Sequence, residues 1–326
     1  MNVLVLGWYH HRNAGDDRIQ EAVTAWLDGH TLGFLPAGRR LPASYARRWD
    51  AVLIGGGGVL QRRGGVLRDL RRFVRRAQVP VGVVGVSAEQ PDPALVDEVR
   101  RVGDRLCVAW VRDQGTMDEL GLEADDRTFV APDLTWLLPR DAAPASPPRG
   151  VAVATAAHAG LDVARWSPAL AALPGPIQPW PFWLEGHADR RALAELLPGH
   201  EVPDRHEPHV GASAGVVVSA RYHGLVFGLQ QGRPVVGIGD APKVRRLLHE
   251  QGLGDWHVPA DRPDRIGPVV ASVLAERVTA ERRATEVADR LEAEAHAAAA
   301  RALALVEAAA RPLHGRSPWR RTLRLA

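Results

Sequence analysis

The feature that most constrains this chain is a repeated alternation in which short, continuous apolar runs are each followed by a stretch with helical periodicity. Unbroken apolar runs suit strands buried on both faces, and such strands separated by helices assemble into parallel sheets. In the first half, Val3–Leu6, Ala51–Ile54, Val81–Val86, Leu106–Val111 and Thr128–Val130 read as strands; in the second, Val151–Thr155, Val216–Val218 and Pro234–Ile238. Between the first two a helix is expected, with Asp16 or Asp17 as its N-cap and Ile19, Ala22, Val23, Trp26 and Leu27 on its buried stripe. A further helix is expected from about Val66 to Ala77. It would bury Val66, Leu70, Phe73, Val74 and Ala77 and turn Arg68, Arg71, Arg72, Arg75 and Arg76 outward. Pro174–Trp183 is rich in Pro and Trp and does not suit a central strand.

Pro139–Pro148 lacks periodicity and reads as a linker. It divides the chain into an α/β domain over 1–140, a second over 150–267, and a helical, Ala/Glu/Arg-rich extension with a basic tail over 268–326. A length of 326 residues suits two such domains better than one. The lone cysteine, Cys107, excludes an internal disulfide framework and fits a reducing compartment, so a cytoplasmic location is expected. No stretch reaches about 18 uninterrupted apolar residues, so no transmembrane segment is expected. The opening Met1–Gly7 reads as a buried strand rather than a signal peptide. The basic tail Arg316–Arg324 leaves room for a peripheral membrane contact. The net charge is only +3, and the Arg-rich helix and tail lack interleaved aromatics or a recognition motif, so no nucleic-acid partner is expected.

Four places join glycine or polar residues to the carboxyl ends of strands, where open α/β sheets bind ligands. Gly7-Trp-Tyr-His-His-Arg-Asn13-Ala-Gly15-Asp16-Asp17 runs from a strand through a polar turn into a helix start, with free N–H groups there for a ligand. Gly55-Gly56-Gly57-Gly58 comes after another strand and permits close approach of a backbone or a ligand. It is neither a dinucleotide fingerprint nor a Walker loop. Arg112-Asp113 comes after a third and suits a structural ion pair. Ser219-Ala-Arg221-Tyr222-His223 is the most informative, with Ser219 expected as N-cap and Arg221, Tyr222 and His223 in the first helical turn. A cation there opposes the helix dipole unless an anion balances it. The next strand leads to Asp240, expected as another N-cap, and then to Lys243. Lys243 is the sole lysine among 41 basic side chains and is again placed against a dipole. Two cations at neighbouring helix starts, with a histidine between, suit a phosphate and a carboxylate. No metal-ligand cluster has convincing spacing, and no cofactor is expected.

These places, in this order, resemble the polysaccharide pyruvyl transferase family. The resemblance rests on Gly7 to Asp17, Gly55 to Gly57, Arg112-Asp113 with Asp133, Ser219 to His223, and Pro234 to Lys243. It implies a GT-B-like α/β fold with two Rossmann-like domains facing a cleft. It also implies a phosphoenolpyruvate donor, and as acceptor a sugar or glycan, free or lipid-linked, on which pyruvate forms a ketal. On that basis His223 is expected as acid/base and Arg221 as donor clamp. Lys243, Ser219, Asn13, Asp16, Gly56, Gly57 and Arg112 are expected as substrate-binding residues. A GT-B-type glycosyltransferase using a sugar nucleotide is the alternative. The sequence departs from the family pattern at His10, where glycine is usual, and at Val86-Ser-Ala-Glu-Gln90, in place of a Gly-rich segment.

Overall fold

The computed structural model describes residues 1–36, 43–60, 75, 78–88, 91, 93–140, 147–156 and 159–310. The helix expected over 66–77, apart from Arg75, lies outside them. So do Glu89-Gln90, most of the 139–148 linker and the tail beyond 310. The chain divides into two compact units. One comprises Met1–Tyr9, Arg18–Leu138 and the chain from Glu294 on; the other comprises His10–Asp17 and Pro139–Ala293.

In the first unit, β1 (Asn2–Gly7) leads to α1 (Ala14–Trp26), β2 (Thr31–Pro36), β3 (Ala51–Leu60), β4 (Val81–Ala88), α2 (Pro93–Gly103), β5 (Ala109–Val111), α3 (Gln114–Leu120) and β6 (Thr128–Val130). The sheet runs in the order β2-β1-β3-β4-β5-β6, and every neighbouring pair is parallel. Chain direction across it reverses between β1 and β3, the switch point at which such sheets open a crevice. Strand β3 does not stop before its glycines; it continues through them with a register shift between Gly57 and Leu60. Gly56 and Gly57 have φ of +73° and +80°, which glycine alone takes at no steric cost. A side chain at Gly56 would overlap Ile19 of α1, so this run lets the helix lie on the strand.

In the second unit, β7 (Val151–Ala154), α4 (Val163–Ala171), β8 (Ile177–Pro179), α5 (Ala188–Leu196), α6 (His209–Ser213), β9 (Val216–Ser219), α7 (Tyr222–Gln230), β10 (Val235–Ile238), α8 (Pro242–Glu250), β11 (His257–Val258) and α9 (Ile266–Ala275) precede the long α10 (Arg277–Ala310). Its sheet, in the order β11-β10-β9-β7-β8, is also wholly parallel. Val151 to Ala154 and Val216 to Ser219 are buried throughout, as strands covered on both faces must be. The switch point of this sheet lies between β7 and β9. Among the described residues no helix is long and apolar enough to cross a membrane.

Three strands escape the periodicity reading, namely β2, β8 and β11, and each is a sheet edge. Three helix starts also differ from expectation. Helix α1 begins at Ala14, so Asp16 and Asp17 lie in its first turn, where they complement the dipole rather than cap. Ser219 is the last residue of β9, and Arg221 stands at the N-cap of α7 without a side-chain capping bond. Ala241, not Asp240, precedes α8. The Asp240 carboxylate instead accepts from Ala260 N at 3.1 Å.

Candidate functional site

Strand β9 delivers Ser219 to the switch point of the second unit, and its hydroxyl fixes the turn into the next helix. Ser219 Oγ accepts from Arg221 N at 2.9 Å and donates to Arg221 O at 2.8 Å. Both bonds lock the residue that leads into α7. A side chain at Gly224 would collide with that hydroxyl, so the helix can pack here only with glycine. The backbone of Arg221 is extended (φ −95°, ψ 130°), and its own side chain makes no capping bond to α7.

The charge of Arg221 is balanced from within the protein. Its Nε donates to Asp189 Oδ2 at 3.1 Å, and its Nη2 pairs with Asp189 Oδ1. Nε also lies 3.4 Å from the carbonyl of Thr155, which comes after β7 across the switch point. The guanidinium sits 5.9 Å from the centroid of the Trp183 ring. Asp189, in α5, is wholly buried and also accepts from the backbone N–H groups of Phe182 (3.2 Å) and Trp183 (2.9 Å). Two further donors nearby, Thr155 Oγ1 and Trp183 Nε1, are buried without a protein partner among the described residues. Buried polar groups are normally bonded, so both can receive a ligand's oxygen.

Segment 10–17 joins the same unit. Ala14 N donates to Phe182 O, and Leu184 N to Arg12 O, both at 2.9 Å, while Asn13 bridges Trp183 in antiparallel fashion. Asn13 Oδ1 accepts from Gly15 N at 3.2 Å. Gly15 lies so close to His223 that any side chain there would overlap the imidazole. His223 also packs 5.3 Å from the ring of Tyr222 and 5.9 Å from that of Phe227. His10 adopts φ +66°, the left-handed conformation that glycine favours.

The structure thus brings Asn13, Ser219, Arg221 and His223 into one constellation, and adds Asp189, Thr155 and Trp183, which sequence reasoning missed. Lys243 occupies the first turn of α8, which comes after β10, the neighbour of β9. Gly56, Gly57 and Arg112 belong to the other unit. Arg112 reaches beyond its neighbour Asp113. It donates to Asp133 Oδ2 at 3.2 Å and Ser87 Oγ at 2.6 Å, fully buried. Asp113 caps α3 by accepting from Thr116 N.

Two parallel-sheet α/β units, with polar residues gathered at a switch point, define the class: a GT-B-like enzyme fold. Sucrose-phosphate synthase from Thermosynechococcus elongatus matches it with TM-score 0.61 and 12% identity, over 97% of this chain and 100% of that one. The kitacinnamycin glycotransferase gives 0.57 and 15%, over 91% and 97%. The UDP-GlcNAc 2-epimerase of Methanocaldococcus jannaschii gives 0.58 and 10%, over 84% and 93%. At such identities the likeness is one of fold. Among curated protein sequences none matches the chain. The model of the polysaccharide pyruvyl transferase family matches residues 13–194, more than half of the chain. The chain belongs to that family and is a transferase. The matched range contains Asn13, Gly15, Thr155, Trp183 and Asp189 and ends before Ser219.

Proposed function

We propose that the protein transfers pyruvate from phosphoenolpyruvate to two hydroxyls of a sugar or glycan acceptor, forming a ketal, on the cytoplasmic side. Protonation of the donor's methylene carbon makes the adjacent carbon electrophilic. One acceptor hydroxyl attacks that carbon, phosphate leaves with its bridging oxygen, and the second hydroxyl closes the ring. One hydroxyl proton replaces the proton delivered to the methylene, and the other leaves with phosphate. A general acid/base and a clamp for two anionic groups are therefore required. His223 is the acid/base. Arg221 holds a donor oxyanion, with the start of α7 beside it and Lys243 as a second anion contact. Asn13 and Ser219 shape the loops that present these groups, and Asp16 lines the same segment. In the other unit, Gly56 lets α1 approach the sheet and Gly57 continues the positive-φ run of β3. Arg112 ties strand ends together through Asp133 and Ser87.

The observation that carries this reading is the state of Arg221. It is fixed by Asp189 on one side, yet both Nη1 hydrogens lack a protein acceptor among the described residues. A sugar-nucleotide glycosyltransferase of the same fold would want a carboxylate on the ribose or sugar hydroxyls. Asp189 is engaged by Arg221, and Asp240 by Ala260 N.

Incubation with phosphoenolpyruvate and a panel of glycans, with phosphate release as readout, tests the roles. Phosphate should appear only when donor and acceptor are both present. His223→Ala should lower turnover about 100-fold or more, and Arg221→Ala should chiefly raise KM for phosphoenolpyruvate. Near-normal turnover in the His223 variant would remove it as acid/base.

A further inference from the structure

We propose that Asp189 is a positioning residue for donor binding, acting only through Arg221; this rests on the functional reading above. A guanidinium carries N–H donors in a rigid planar fork, and a two-point contact fixes both its place and its roll. Here the Nε/Nη2 edge is taken by the two oxygens of Asp189, and Nε also faces Thr155 O. Both Nη1 hydrogens and one on Nη2 remain without a protein acceptor among the described residues. Because Asp189 already balances the charge, Arg221 offers directed hydrogen bonds rather than net positive charge. Their direction is what the wholly buried Asp189 controls.

Asp189 is itself anchored so that this direction is held. Its Oδ2 accepts from the backbone of Phe182 and Trp183. That segment bonds to Arg12 and Ala14, and Gly15 beyond them abuts His223. One carboxylate thus connects the clamp, through the 182–184 backbone, to the segment packed on the histidine. No local motif signals such a residue, since Asp189 sits in an ordinary surface-type helix sequence, Ala188-Asp-Arg-Arg191.

A double-mutant cycle on the full chain tests this, with the dissociation constant of phosphoenolpyruvate read by calorimetry and folding monitored by Tm. Asp189→Asn should weaken phosphoenolpyruvate binding roughly tenfold or more in the wild-type background, yet leave it unchanged in an Arg221→Gln background. Equal losses in both backgrounds, or none in the first, would overturn the positioning role. A merely structural Asp189 would give the equal-loss result. Should Asp189→Asn fail to fold, Arg221→Lys asks the same question, because lysine keeps the charge but cannot make the two-point contact. It should then bind phosphoenolpyruvate nearly as weakly as Arg221→Gln, and wild-type affinity in Arg221→Lys would refute the proposal. Failure of wild-type protein to bind phosphoenolpyruvate at all would instead strike the functional reading itself.

Discussion

At the residue scale, the site depends on a glycine as much as on its charged side chains. Gly15 has no room for a methyl group because the His223 ring occupies that space. Gly15→Ala should therefore push the imidazole aside. Overpacking of this kind costs about 1–3 kcal/mol, and displacing a reacting group by about an ångström can cost on the order of 100-fold in rate. Turnover with phosphoenolpyruvate should fall steeply while Tm falls only modestly, as steady-state kinetics and calorimetry would show. Full turnover in the Gly15→Ala enzyme would mean that this contact does not hold His223 in place. Ser219, Arg221 and His223 stand out in the sequence because a serine, a cation and a histidine come directly after a buried strand. Asp189 does not stand out. Its importance comes from a fold that carries α5 back to the β7/β9 crevice, and nothing in its neighbours' chemistry announces that return. For the same reason the sequence suggests a bound anion as the balance for Arg221, whereas the balancing anion is a distant carboxylate.

At the scale of elements, periodicity identifies the interior strands and one edge strand, β6, and misses the other three edges. Val3–Leu6, Val151–Ala154 and Val216–Val218 are continuous apolar runs in sheet interiors. In contrast, β2 contains a glycine and ends in proline, β8 is three residues ending in Pro179, and β11 is only His257-Val258. Edge strands tolerate such residues because one of their sides needs no ladder partner. The helix starts are misread for a different reason. A serine or aspartate just before a helix suits a cap, but Ser219 and Asp240 are held by Arg221 and Ala260 instead.

One edge also carries a pH dependence. The imidazole of His257 donates from Nε2 to Gly239 O at 2.9 Å, beside the turn that leads to Lys243. Burial lowers its pKa below the usual 6.5; the Gly239 carbonyl pulls it back upward, and His249 and Arg245 add repulsion against Asp240's attraction. The unfolded chain therefore binds more protons than the folded one once pH falls below about 6.5. Stability contributed by neutral His257 is present above that pH and is lost as pH drops toward the lowered folded value. His257→Gln, which can keep the bond to Gly239, should flatten Tm against pH below about 6.5. An unchanged slope would assign the acid sensitivity to other groups.

For the molecule as a whole, two units with the same sheet logic place their polar residues differently. The first unit pairs its strand-end charges internally, through Ser87, Arg112 and Asp133 and through the Asp113 cap. The second leaves hydrogens of the Arg221 guanidinium and the buried donors Thr155 Oγ1 and Trp183 Nε1 at its switch point, while the first unit also buries Trp136 Nε1 without a protein partner among the described residues. The proposed donor site lies in the second unit, which includes segment 10–17. The two-unit α/β plan is legible in the sequence because it comes from strand and helix periods. The membership of segment 10–17 in the second unit is not, since the segment is contiguous with β1 and joins that unit through backbone bonds to residues near 183, the His11–Glu185 pair and the packing of Gly15 on His223. The most direct measurement is a thermal-shift titration of the protein with phosphoenolpyruvate, run beside UDP- and GDP-sugars. Ligand that binds only the folded state at about 100 times its dissociation constant adds roughly 2.7 kcal/mol of stability. Phosphoenolpyruvate alone should raise Tm. A rise with a sugar nucleotide and none with phosphoenolpyruvate would contradict pyruvyl transfer and reassign Arg221 and Lys243 to a diphosphate.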